Sequence, residues 1–273
     1  FGSSVTNDGK VKAGTTGLTA SGSGINNGII SSGGMGMYGG DSGTLENKGT
    51  IDSGLTTSAV AMLSESGSLT NEGSINSRGG SMSSESGGIT NKGSLFETGV
   101  FAADDDSLNE IGQLTGVAAL QANSGTITNE GSLISTLAGF RGYMITESGD
   151  ETVTYVPANI NFTNSGTMTI NDGQYAVWVA DGYAKPIENE GDLPEKQESS
   201  LTFSNTSTGK ITVNDTKSGI ANGILAYNTA TMTNDGEIFL SSEAKNISSI
   251  KGMIADSGTL TNNRTIRIEA FDS

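Results

Sequence analysis

The tetrapeptide Gly40-Asp41-Ser42-Gly43 could support nucleophilic chemistry, because the same four residues surround the catalytic serine of one class of serine proteases. Such a serine needs an imidazole that accepts its proton and then returns the proton to the leaving group. The chain of 273 residues contains no histidine. We therefore exclude a Ser-His-Asp triad, and the tetrapeptide requires another explanation.

Three further patterns could support chemistry but lack the partners that this chemistry needs. The run Asp104–Asp106 offers oxygen ligands for Ca²⁺, yet three neighbouring carboxylates seldom supply the about six to eight oxygens of a calcium site. The glycines of residues 34–39 match a dinucleotide fingerprint without its βαβ context. The Ser-x-x-Lys pairs that begin at Ser207 and Ser248 have no Lys-Thr-Gly partner after them. We predict no metal site and no cofactor.

Composition excludes other classes of function. The net charge is −16, from 30 acidic and 14 basic residues, so the surface repels phosphate backbones and we expect no nucleic-acid partner. The absence of cysteine excludes disulfides and thiolate metal sites. Apolar residues make up only 33%, and 40 glycines together with Ser, Thr and Asn replace them. This composition suits tight turns and thin, regularly stacked structures.

Ser42 belongs to a repeated motif with the consensus S-G-x-[LI]-x-N-x-G-x-[IL]. Clear copies begin at Ser42, Ser66, Ser86, Ser124 and Ser257. With weaker copies the total is eleven, and the asparagine positions lie 19 to 24 residues apart up to residue 129 and 28 to 41 residues apart beyond it. The asparagine position is occupied by Asn7, Asn27, Asn47, Asn71, Asn91, Glu110, Asn129, Asn164, Asn205, Asn234 and Asn262. The protease-like tetrapeptide is therefore one copy of a structural repeat.

Each copy contains three short segments in which apolar and polar residues alternate, as in strands with one buried face. Two segments surround the Leu before the asparagine and the Ile after the glycine. The third contains a large apolar residue nine positions before the asparagine: Tyr38, Met62, Met82, Phe101, Leu120, Leu225 and Met253. One copy, of roughly 20 residues with three short strands, cannot bury its apolar side chains alone. We therefore expect successive copies to stack, with their strands parallel and about 4.8 Å apart. The sequence predicts an all-β fold, a parallel β-helix of about eleven rungs and about 50 Å.

The repeat also predicts what holds the rungs in register. Asparagines at one fixed turn position can stack into a ladder of side-chain amides. We assign this ladder to Asn47, Asn71, Asn91, Asn129, Asn234 and Asn262. The glycine two residues after each asparagine is expected to provide a positive φ where the chain bends.

The motif, the absence of cysteine and the Gly/Ser/Thr/Asn/Asp composition resemble the passenger domains of bacterial type V autotransporters, particularly AIDA-type and self-associating adhesins. The resemblance covers about residues 3–268. It implies a right-handed β-helix at the bacterial cell surface or secreted, and a function in adhesion or aggregation. It also implies that the parent chain is anchored through an outer-membrane barrel. We interpret residues 1–273 as one passenger fragment, with regular rungs over 1–133 and loop-decorated rungs over 134–273.

Departures from regularity are the expected place for binding. Residues 134–160 and 172–202 exceed the needs of one rung, and they contain all three prolines. Tyrosines next to carboxylates suit recognition of carbohydrate or protein; alternatively, the aromatic residues cover the core where rungs are irregular. We expect Tyr175 and Trp178 to be strand residues. The candidate ligand-binding residues are Arg141, Tyr143, Glu151, Tyr155, Tyr183, Lys185, Glu188, Glu190 and Asp192.

Four functions remain as hypotheses. The first is a surface adhesin whose loops bind host glycans or matrix proteins. The second is self-association, in which a polar face repeated on every rung meets a copy of itself through many weak hydrogen bonds. The third is a spacer without a ligand. The fourth is a polysaccharide-degrading enzyme; we do not favour it, because only four arginines are present and no acidic cluster recurs on adjacent rungs.

Overall fold

The computed structural model consists of short β-strands joined by turns. It describes residues 3–54, 60–99, 118–136, 138–142, 145–148, 153–156, 158–180 and 199–270, which contain 29 strands and no helix. The strands are β1 (Val5–Asn7), β2 (Lys10–Ala13), β3 (Leu18–Thr19), β4 (Ser23–Asn26), β5 (Ile29–Ser32), β6 (Met37–Tyr38), β7 (Thr44–Asn47), β8 (Thr50–Ser53), β9 (Met62–Ser64), β10 (Leu69–Asn71), β11 (Ser74–Ser77), β12 (Met82–Ser84), β13 (Ile89–Asn91), β14 (Ser94–Glu97), β15 (Leu120–Ala122), β16 (Ser124–Asn129), β17 (Ser132–Ser135), β18 (Ala138–Gly142), β19 (Ile145–Ser148), β20 (Val153–Val156), β21 (Asn159–Asn164), β22 (Thr167–Asn171), β23 (Tyr175–Ala180), β24 (Ser200–Asn205), β25 (Lys210–Asp215), β26 (Ile220–Asn234), β27 (Glu237–Ser242), β28 (Ser249–Asn262) and β29 (Ile266–Ala270).

The strands stack in three columns, which we name faces A, B and C in the order in which each rung passes through them. Face A contains β3, β6, β9, β12, β15, β18 and β23, and face B contains β1, β4, β7, β10, β13, β16, β21 and β24. The long strands β26 and β28 run through both faces. Face C contains β2, β5, β8, β11, β14, β17, β22, β25, β27 and β29. All pairings within the three faces are parallel, which confirms the predicted parallel β-helix.

Apolar columns on the inner side of the three faces form the core. On face C, for example, Ile51, Ile75 and Leu95 pair in register and are buried, while the residues on either side of them point outward. Burial of each such side chain contributes roughly 1.5–3 kcal/mol. Phenylalanine enlarges the core in the second half: the ring centroids of Phe140 and Phe162 lie 5.0 Å apart. These two aromatic residues fill the interior, as one of the two sequence interpretations expects.

A ladder of asparagine side chains runs along the interior at the end of face B. In each step Nδ2 of one asparagine donates to Oδ1 of the asparagine on the next rung, at 2.7 to 2.9 Å. Only the terminal members, Asn7 and Asn262, have exposure to solvent; the others are fully buried. The ladder consists of Asn7, Asn26, Asn47, Asn71, Asn91, Asn129, Asn164, Asn205, Asn234 and Asn262.

The ladder corrects two predicted positions. Asn26, not Asn27, belongs to it, because the Asn-x-Gly spacing of the repeat is kept and the copy is altered before the asparagine, where Gly24 pairs with Leu45. Asn91 bonds directly to Asn129, and β13 pairs with β16. No rung therefore separates β13 from β16, and the residues of the predicted copy with Glu110 in the asparagine position lie outside the described ones. The described ladder has ten members instead of eleven.

Two predicted core residues are displaced by one position. Met37 and Ile224 occupy the face A column that we assigned to Tyr38 and Leu225, whereas Phe101 lies outside the described residues. Successive side chains of a strand point to opposite sides, so a shift of one residue exchanges inside and outside. The turn that contains Gly40, with φ at 59°, is one residue longer than its counterparts in the next rungs. An irregularity after Ala226 has the same effect in β26.

The glycine two residues after each asparagine has a different role from the predicted one. None of these glycines has a positive φ; the positive-φ glycines among the described residues are Gly40, Gly54, Gly125, Gly219 and Gly258. The reason for glycine is instead the close approach of the next rung. A Cβ atom on Gly73 would lie 2.0 Å from the carbonyl oxygen of Gly49 below it, and one on Gly93 would lie 2.0 Å from that of Gly73. Side chains at these turns would push the rungs apart.

Candidate functional site

Two long excursions leave the rod from one corner, between faces A and B. The chain leaves face A after Gly142 at the end of β18 and after Ala180 at the end of β23, and these strands are neighbours in the stack. It returns at Ala158 and at Ser199, where the Ala158 amide donates to the Ser199 hydroxyl at 3.0 Å. The first excursion contains the antiparallel hairpin of β19 and β20. Both excursions therefore start and finish on adjacent rungs, and we call this region the loop corner.

A stack of side chains lies on the outer side of face A at the loop corner. The guanidinium carbon of Arg141 lies 5.3 Å from the ring centroid of Trp178, within the range of a cation–π contact. The rings of Trp178 and Tyr175 are stacked with centroids 6.1 Å apart. Tyr175 and Trp178 lie in β23, as predicted, and Trp178 is only 7% exposed although it points away from the core. The stack forms a packed base from which the excursions leave.

The structure describes only part of the predicted ligand-binding set. Arg141 lies at the loop corner, and Tyr155 lies in β20, where its backbone is paired with Thr146. The other seven candidates lie outside the described residues: Tyr143, Glu151, Tyr183, Lys185, Glu188, Glu190 and Asp192. The ranges 134–160 and 172–202, which exceed the needs of one rung, contain strand residues at both ends, from β17, β18, β21, β23 and β24.

A groove of about 930 Å³ runs along another corner, where the chain leaves face C in the first half of the rod. Arg78 and Ser53 lie beside the outward-facing residues that line it. The outward-facing residues that line the groove belong to five neighbouring strands and form one column: Lys12, Ser31, Asp52, Asn76 and Phe96. We call this feature the corner groove. Sequence reasoning missed it, although a signal exists: each residue of the column directly follows the last apolar position of its repeat.

The motifs that suggested chemistry have structural roles where they are described. Ser42 is exposed in the turn between β6 and β7. The hydroxyl of Ser248 donates to the carbonyl oxygen of Gly219 at 3.1 Å, so it fastens a turn to the preceding rung. The run Asp104–Asp106 lies outside the described residues.

In the second half of the rod, the buried carboxylate of Asp215 accepts hydrogen bonds that stabilise the turn after face C. Asp215 is 1% exposed and accepts hydrogen bonds from the amide and hydroxyl of Ser218, the amide of Gly219 and the hydroxyl of Ser242, at 2.7 to 2.8 Å. Burial by itself raises the pKa of Asp215, but the hydrogen bonds from Ser242 and Ser218 outweigh it and hold the pKa below its usual value. This carboxylate is fully used in joining turns of successive rungs.

Comparison of the chain with protein-family models, with curated proteins and with solved structures found no match. Across the residues that the structure describes, no helix is long and apolar enough to span a membrane. Those same ranges contain no group of three or more His, Cys, Asp or Glu side chains that could hold a metal ion.

Proposed function

We propose that this chain is an adhesive rod of a bacterial cell surface, or a secreted one, and that its loops bind host glycans or extracellular-matrix proteins. The observation that carries the proposal is that the excursions after β18 and after β23 begin on adjacent rungs of one corner. Because neighbouring strands lie about 4.8 Å apart, the two loops begin close together and can contact one ligand jointly. Binding residues are commonly carried by loops that a rigid scaffold positions.

The packed base of the loop corner supports the same proposal. Arg141, Trp178 and Tyr175 are joined by ring and cation contacts, and two of them lie on a strand that pairs on both sides. A base of this kind limits the motion of the chain where each loop starts. Limiting motion before binding reduces the entropy lost on binding. The predicted tyrosines and carboxylates of residues 143–155 and 183–192 would then supply the ligand contacts.

The test is binding of the purified chain to an array of host glycans and matrix proteins. The variant for comparison replaces residues 183–196 by a short Gly-Ser linker. It keeps Ser199 and Ser200, because Ser199 bonds to Ala158 and Ser200 begins β24. Circular dichroism and thermal unfolding show whether the β-helix survives the replacement. We expect wild-type binding to at least one class of ligand and its loss in the variant.

Retention of full binding to every neutral glycan and matrix protein by the loop variant would refute the loops as the binding site. Absence of binding by the wild-type chain would refute host adhesion and favour self-association or a spacer role.

One observation favours self-association as the second candidate. The outer side of face B carries a column of hydroxyl side chains that are in register on successive rungs. A repeated array of this kind can meet a copy of itself through many weak hydrogen bonds. The column consists of Thr70, Thr90, Thr128, Thr163, Ser204, Thr233 and Thr261.

Analytical ultracentrifugation over a wide range of protein concentration tests this second function. The double variant Thr128→Glu/Thr163→Glu places two further negative charges on face B of a chain whose net charge is already −16. If face B self-associates, the variant remains monomeric at concentrations where the wild type forms larger species. The loop variant serves as the control and should associate like the wild type. A monomeric wild type at all concentrations, or a variant that associates equally well, would contradict the idea.

A further inference from the structure

The corner groove has the dimensions and lining of a ligand site that is separate from the loop corner. Its volume of about 930 Å³ lies within the usual range of ligand pockets, about 300–1,000 Å³. The column that lines it crosses five rungs, so the groove runs along the rod axis and suits an elongated ligand. We propose that the corner groove binds a segment of an anionic polysaccharide, one that carries carboxylate or sulfate groups.

The charge of the groove differs from that of the whole chain. The protein has 14 basic residues against 30 acidic ones, yet the groove has two cations, Lys12 and Arg78, and one carboxylate, Asp52. Asp52 accepts a hydrogen bond from Asn76 at 2.6 Å. No ion pair involves Lys12 or Arg78 in the described part of the chain, and both side chains are exposed. Two positively charged side chains without an ion-pair partner among the described residues favour an anionic ligand.

The positions of the cations indicate a polymer with repeated charges. Lys12 lies on β2, and Arg78 directly follows β11, three rungs further along face C. At about 4.8 Å per rung this places the two cations roughly 14 Å apart along the rod. A single small anion cannot contact both, whereas a chain with acidic groups on successive sugars can. Arginine can bind a carboxylate or sulfate through two parallel hydrogen bonds.

The remaining lining suits a polyhydroxylated ligand. Ser31 offers a hydroxyl group and Asn76 an amide group on the same outward-facing column. Phe96 is 45% exposed at the far end and offers an aromatic face for the C–H groups of a sugar ring.

The backbone of face C argues against a peptide as the occupant. Extended peptides commonly bind by adding a strand to an exposed sheet edge. In the corner groove the strands from β5 to β14 are paired on both sides, so their amides and carbonyls are already used. Recognition there depends on side chains, which are mainly hydroxyl, amide, cationic and aromatic groups. This set favours a carbohydrate over an acidic peptide.

The experiment is isothermal titration calorimetry of the intact chain with four probes. Oligogalacturonate carries carboxylates, a heparin hexasaccharide carries sulfates as well, a dextran oligomer is neutral, and poly-glutamate is an anionic peptide. Two variants change the groove, Lys12→Gln/Arg78→Gln and Phe96→Ser. The matched control, Lys245→Gln/Lys251→Gln, removes two exposed positive charges from the far end of the rod. All substituted side chains are exposed, so the fold should persist in each variant.

We expect the wild type to bind at least one anionic oligosaccharide, with affinity that decreases as salt increases. Loss of both groove cations should weaken binding by about tenfold or more, and loss of the aromatic ring by about fivefold. The control should stay within about twofold of the wild type. The stronger of the two anionic probes identifies carboxylate or sulfate as the preferred group.

Three results would overturn the proposal: no binding of either anionic oligosaccharide, equal weakening by the control, or equal binding of dextran or poly-glutamate. The proposal does not depend on host adhesion through the loops, because the variant that lacks residues 183–196 should bind the same oligosaccharide as the wild type does.

Discussion

The substitution Asn91→Ala tests how much the asparagine ladder contributes to stability. Asn91 is fully buried, donates to Oδ1 of Asn129 at 2.8 Å and accepts from Nδ2 of Asn71 at 2.9 Å. Alanine removes both bonds and leaves two buried polar atoms without their partners. Each such atom costs about 1–3 kcal/mol. Nδ2 of Asn71 keeps contacts at 3.4 Å with the carbonyl oxygens of Gly73 and Ser94, which reduces its share. We expect a loss of about 2–5 kcal/mol in the free energy of unfolding.

The matched control is Asn262→Ala, at the end of the ladder. Asn262 is exposed; it accepts a bond from Asn234 and donates one to the carbonyl oxygen of Arg264 at 2.9 Å. Water can replace both groups, so we expect a loss below about 1 kcal/mol. Urea unfolding gives the global value. Hydrogen exchange gives the local one, which matters because repeat proteins lose stability near the altered rung. Equal losses in the two variants, within about 0.5 kcal/mol, would refute the view that the buried amides hold the rungs together.

Further predictions concern single residues along the rod. Gly73→Ala places a methyl group 2.0 Å from the carbonyl oxygen of Gly49 and should reduce the free energy of unfolding, measured by urea titration, by about 2 kcal/mol or more. Gly9 has the same position in the first rung, but a methyl group there meets nothing within 4 Å. Gly9→Ala should therefore have little effect. Hydrogen bonds lower the pKa of Asp215 in the folded protein. The contribution of Asp215 to stability is therefore complete at pH values above its ordinary pKa of 3.8 and decreases as the pH falls through the lowered pKa. Asp215→Asn should remove this part of the acid dependence of Tm, and an unchanged plot of Tm against pH would contradict the prediction. Ser53→Ala removes a buried hydroxyl that has no hydrogen-bond partner within the described residues, so Tm should be unchanged or higher, and a clear decrease would show that the hydroxyl is hydrogen-bonded in solution.

The fold could be predicted because the repeat contains the information that a β-helix needs. The alternation around Leu69 and Ile75 specifies inward faces, and Asn71 specifies the turn that joins two strands. The exact register at Met37 could not be predicted, because it depends on the length of a glycine-rich turn that has no side-chain signal. The role of Gly73 could not be predicted either, because a close contact with the neighbouring rung and a positive φ both require glycine, and the sequence does not distinguish the two.

The location of the corner groove shows why regular rungs deserve the same scrutiny as irregular loops. The sequence hypothesis placed binding where the repeat is interrupted, yet the groove is lined by five strands of face C that keep the pattern of the repeat. Inside the rod, Ile51 and Ile75 are constrained by packing, so the repeat is visible there. Outside, the next residues, Asp52 and Asn76, have no packing constraint and can differ from rung to rung. Because strand pairing holds them in one column, a set of different side chains in ordinary repeats becomes a continuous surface. In a β-helix, the outward-facing strand positions can therefore vary without disturbing the repeat, and their side chains can determine which ligand binds.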